Sequence, residues 1–174
     1  MPRDHVFSGP QPGLAAALAA WRHSLGELAL ACAGSYAADE AARLRDLAAL
    51  LLAAPAGQIA MLPRPDLVRL EVLLDVGAGT SAALELIGGG LSGKDANRSG
   101  PARSADAGYL LSCGGSGQHM ASVVLPGATE ETTASGDTAA LALVGALALA
   151  LADQAGAAAS LTAERRAQPR GTPH

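Results

Sequence analysis

Residues Ala107–Pro126 read AGYLLSCGGSGQHMASVVLP. Two apolar runs, Tyr109–Leu111 and Val123–Leu125, flank Gly114, Gly115, Ser116 and Gly117. Aromatic and β-branched side chains suit a pleated, half-buried surface, and glycine supplies the positive φ that tight hairpins require. The stretch therefore predicts an antiparallel hairpin. A loop of about four residues sets Leu111 opposite Met120 and Ser112 opposite His119. In that register Tyr109, Leu111, Met120 and Val124 share one face, and Leu110, Ala121, Val123 and Leu125 share the other. Pro126 and Gly127 end the second strand. Both faces are apolar, and a lone hairpin is marginal in water, so the remaining segments are expected to pack around it.

Upstream, Leu14, Leu18, Trp21, Leu25 and Leu28 recur at spacings of three and four, predicting a helix over 14–33 with Gly34 as its stop. A second helix over 39–54 carries Leu44, Leu47, Leu50 and Leu51, and the two form a helical hairpin. Residues 65–76 fit a third helix, with Pro65 at its start and Gly77 past its end. Val68, Leu70, Val72 and Leu74 also alternate as a strand would, and helix is the preferred reading. Ser81–Ile87, with Ala82, Leu84 and Leu86 alternating, is expected to be a strand. Residues 129–135 look like a polar link. Asp137 is expected to cap a helix over 138–155, with Leu141, Leu143, Val144, Leu147, Leu149 and Leu151 spread around it.

These elements imply an α+β domain: an N-terminal helical hairpin, a third helix and a C-terminal helix packed on a small antiparallel sheet of two to three strands. Residues 1–13 are expected to be a flexible arm, 14–160 the single domain, 92–106 a mobile loop and 161–174 a disordered tail. Hydrophobic residues make up 49% of the chain and aromatics 2%, so the core must be built from Leu, Ala and Val. A net charge of −4 with so few stacking side chains argues against nucleic acid. The longest uninterrupted apolar run, 139–152, is shorter than the roughly 18 residues of a membrane span. Cys32 and Cys113 fit no metal spacing. The expectation is a soluble cytoplasmic protein with no membrane partner and reduced thiols.

Three motifs touch on chemistry. Leu73–Thr80, LLDVGAGT, resembles the glycine-rich first motif of S-adenosylmethionine-dependent methyltransferases. That resemblance implies a parallel sheet, a strand entering the motif, and a cofactor site lined by Asp75, Gly77 and Gly79. Ser81 stands where the family has a third glycine, and Asp95, at the spacing of the ribose-binding acid, follows a polar loop instead of a strand. The simpler reading is a helix end at Gly77, and it is the favoured one. Gly88–Asp95, GGGLSGKD, has P-loop spacing, but Asp95 replaces the magnesium-binding hydroxyl and the residues beyond oppose a helix. Cys113 and His119 flank the hairpin turn and could form a thiolate–imidazole pair, but no orienting carboxylate is evident. Glu130 and Glu131 read as surface solvation.

Function is read from the apolar surface. The last helix is apolar all round and the hairpin on both faces, more than one domain with few bulky side chains covers. The expectation is a non-catalytic protein-interaction module, self-associating as a homo-oligomer, most simply a dimer, through Leu143, Leu147, Leu151, Tyr109 and Leu111, with no cofactor.

Overall fold

The computed structural model describes residues 12–55, 64–88 and 107–167. Helix α1 spans Pro12–Gly34, and a 3₁₀ turn at Ala37–Asp39 leads into α2, Glu40–Leu52. Helices α3, Leu67–Asp75, and α4, Gly79–Gly88, follow. Strands β1, Gly108–Cys113, β2, His119–Val124, and β3, Thr132–Gly136, form an antiparallel sheet in the order β1-β2-β3. Helix α5, Ala139–Ala167, is the last described element. The fold is α+β, with helices packed on a three-stranded sheet.

Helix α5, and not the hairpin, is the element the rest surrounds. It lies against α1, α2 and α4 on one side and β2 and β3 on the other. Leu141, Leu143, Val144, Leu147 and Leu151 are all fully buried. By length and composition Ala139–Ala157 would pass for a membrane span, but 67% of its most apolar window is buried inside this core. Gly145 on α5 sits close to Cys32 and the Ala29 carbonyl of α1. The indole of Trp21 donates to the Leu50 carbonyl (2.8 Å) and ties α1 to α2.

Four expectations are corrected. Residues Ser81–Ile87 are helix α4, not a strand. Ala and Leu favour helix, and burial of Ala82, Ala83, Leu86 and Ile87 follows a four-residue period. The third strand is instead Thr132–Gly136, in the expected polar link, where β-branched Thr132 and Thr133 suit a ladder. Thr138, not Asp137, caps α5. Its hydroxyl accepts the Leu141 amide (3.2 Å), while the Asp137 carboxylate accepts the Ala37 amide (2.9 Å). Lastly, α1 begins at Pro12 and α5 continues to Ala167, so part of the expected arm and tail is helical. The 92–106 loop lies outside the described residues.

Candidate functional site

The hairpin turn fixes the geometry of the exposed surface. The Gly114 amide donates to the Gln118 carbonyl (2.9 Å), and the Gly117 amide donates to the Gly114 carbonyl (3.0 Å). Gly117 has φ +81°. This is a three-residue loop, a turn closed by a left-handed glycine, one residue shorter than expected. The register is accordingly Leu111↔Ala121, Ser112↔Met120 and Cys113↔His119, not Leu111 opposite Met120. A one-residue slip exchanges the faces of a strand. Tyr109, Leu111, Ala121 and Val123 thus share the face toward α5, and Leu110, Met120 and Val124 share the outer face with Ser112, Ser122 and Thr133. Burial agrees: Ala121 and Val123 are buried, whereas Leu110 is 65% and Met120 48% exposed. On the outer face the Ser122 and Thr133 hydroxyls bond each other at 2.8 Å.

Strand β1 is an edge. Among the described residues nothing pairs with its outer side. Its sequence, GYLLSC, contains no Lys, Asp, Glu or Pro, the residues that natural edges use to discourage pairing. Helix α5 lies under β2 and β3 and scarcely reaches β1. Tyr109 therefore remains 48% exposed on the inward face, and Leu111 is half-buried.

Of the expected interaction residues, Tyr109 and Leu111 lie together on this edge. Leu143, Leu147 and Leu151 do not join them. All three are at most 1% exposed, within the core of a single chain. The sheet, α1, α2 and α4 bury residues Ala140–Ala148 of α5 all round, so its most apolar turns are used within the chain. Leu110 and Met120 belong to the exposed patch. A four-residue turn would set Leu110 on the face of Ala121 and Val123; the left-handed Gly117 sets it on the outer face instead.

The Asp75–Gly79 stretch joins two helices. Residues Leu67–Asp75 are helical, capped at their start by Asp66, whose carboxylate accepts the Val68 and Arg69 amides (both 3.1 Å). Gly77 has φ +72°. Its amide donates to the Leu74 carbonyl (3.0 Å), and the Ala78 amide donates to the Leu73 carbonyl (2.8 Å). These are the paired bonds of a glycine-terminated helix end. The strand that the methyltransferase resemblance implies is α3, and the sheet is wholly antiparallel. Gly79 instead accommodates the Glu40 carboxylate, which also bonds the Thr138 hydroxyl. The first turns of α2 and α4 and the cap of α5 thus meet at one carboxylate.

Other candidates remain apart. Cys113 and His119 are opposite in the ladder, but the Cys113 thiol donates to its neighbour, the Gly114 carbonyl (3.6 Å). Cys32 is fully buried, and burial pushes its thiol up to about 12, with Asp46 adding and the Arg43 charge opposing. Glu130 and Glu131 line an open groove of about 480 Å³ with Asp153 and Gln154. The P-loop-like stretch lies outside the described residues beyond Gly88. Among the described residues no three His, Cys, Asp or Glu side chains gather as a metal would need. No family model, curated protein or solved structure matches the chain.

Proposed function

We propose that this protein is a non-catalytic interaction module whose principal partner is a second copy of itself. The observation that supports this is the uncharged edge of β1, unpaired among the described residues, beside exposed Leu110 and Met120. Unpaired strand edges are templates for another chain, and apolar patches on soluble proteins mark contact surfaces. The self-association rests on the sheet alone, because Leu143, Leu147 and Leu151 of α5 are buried within the chain. The reading also places the protein in the cytoplasm, where the exposed Cys113 thiol stays reduced; recovery from cells in a secreted or membrane fraction would argue against that placement.

Sedimentation velocity from low to high micromolar concentration tests the association. The weight-average mass should rise toward twice that of one chain. A strict monomer throughout would end the proposal.

A further inference from the structure

We propose that two copies join through antiparallel pairing of β1 with β1, about a two-fold axis at Leu111, to make one continuous six-stranded sheet. This rests on the self-association proposed above and specifies its geometry.

The argument begins with the direction of backbone groups. In an antiparallel ladder, hydrogen-bonded and non-bonded pairs alternate. Gly114 bonds Gln118 at the turn, so Ser112, Leu110 and Gly108 direct their amides and carbonyls toward β2. Cys113, Leu111 and Tyr109 direct theirs outward, to the open edge. These three are spaced evenly and symmetrically about Leu111. A two-fold axis there pairs Tyr109 with the second copy's Cys113, Leu111 with Leu111, and Cys113 with Tyr109. Every outward group of the strand is then bonded, about six bonds across the junction. A shift of the axis by half a residue would set outward-directed groups against inward-directed ones, and a shift by one residue would leave Tyr109 or Cys113 without a partner in the strand, cutting the bonds to about four.

Charge agrees with this choice. The chain carries a net −4, so two copies repel over most approaches, but Gly108–Cys113 contains no acidic or basic side chain. Packing agrees as well. Half-buried Leu111 would meet its own copy across the axis, and half-exposed Tyr109 would lie over the second copy's Cys113. The strip is narrow, below the roughly 800 Å² per partner of a standard interface, so the dimer is expected to be weak and to dissociate in the micromolar range.

The test is a directed cross-link. Paired residues at the axis have Cα atoms about 5.5 Å apart, within the span of a disulfide. The Leu111→Cys/Cys113→Ser double variant should therefore oxidise to a covalent dimer. The wild-type chain should not, because the two Cys113 residues lie at opposite ends of the junction, about four residues from register, or roughly 13 Å. Tyr109→Pro removes one outward amide and spares the bonds to β2; it should weaken association by about tenfold or more with the circular-dichroism spectrum unchanged. A wild-type dimer that survives Tyr109→Pro and fails to cross-link at residue 111 would overturn the β1 pairing while leaving self-association standing. A wild-type monomer at all concentrations would overturn both.

Discussion

A methyl group added at Gly136 would lie 2.8 Å from the Ala142 amide nitrogen and 2.9 Å from the Leu141 Cβ. Both belong to the rigid first turn of α5, so neither can yield, and Gly136→Ala should cost about 2–3 kcal/mol, as overpacking does. At Gly79 the obstruction is the Glu40 carboxylate, the end of a flexible side chain. Gly79→Ala displaces it and breaks its bond to Thr138, at a cost of about 1 kcal/mol. Gly26, inside α1 with no neighbour near its missing Cβ, should gain about 0.5–1 kcal/mol as alanine. Urea midpoints should rank the three in that order, and equal effects at Gly79 and Gly136 would show that backbone crowding is not the cause. Cys32 adds a pH dependence. Its folded thiol titrates near 12 against an ordinary 9.0, so the unfolded chain ionises first as pH rises. The contribution is whole below pH 9 and fades between 9 and 12, by at most about 1.4 kcal/mol per unit. A thiol reagent at neutral pH should accordingly modify Cys113 in the folded protein and reach Cys32 only after denaturation.

Helix α3 is the most weakly held of the described helices. Leu70 is its one buried residue. Leu73 and Leu74 pack only partly buried against the core, and its polar ties are Arg45 with Glu71, an exposed pair of little energetic weight, and Arg69 with the buried Glu85 carboxylate (2.9 Å). Leu70→Ala should therefore release α3 without unfolding the protein: amides over 70–76 should exchange at nearly the rate of an open chain, while α5 stays protected. Global loss of protection would show that α3 is integral to the core. The same region shows why local patterns mislead. Val68 and Val72 on α3 and Val76 just beyond its end all lie exposed, so apolar identity there signals neither burial nor strand. Ser81–Ile87 alternates only because it is too short to show its four-residue period. The long elements were legible, since repeated leucines at helical spacing leave α1 and α2 little choice. Strand β3 was hidden because its residues, TTASG, contain no bulky apolar side chain, and its place depends on α5 beneath it.

At the scale of the whole molecule, the fold class is legible in the sequence and the hub is not, since α5 and not the hairpin lies at the centre of the packing. An all-apolar helix implied a surface needing a partner, but the chain supplies that partner itself by wrapping its own sheet and helices around α5. What composition cannot reveal is which apolar face the chain leaves uncovered, because that depends on a single register set by Gly117. That Tyr109 and Leu111 share one face could be anticipated; that Leu110 is exposed could not. The proposed junction makes Leu110 informative. With the axis at Leu111, Leu110 stands directly opposite the second copy's Ser112, a non-bonded pair with Cα atoms about 4.5 Å apart. Leu110→Lys places two ammonium groups near one another across the axis, and it should abolish association at concentrations where the wild type is dimeric. Since Leu110 is 65% exposed, the monomer's melting temperature should scarcely change. Adding Ser112→Glu to the same chain sets each lysine opposite a glutamate of the other copy, twice by symmetry, and opposite charges in cross-strand pairs attract. Sedimentation should show the dimer restored in the double variant, more strongly at low salt than at high. If Ser112→Glu fails to rescue Leu110→Lys at low salt, the two residues do not face each other and the register centred on Leu111 is wrong.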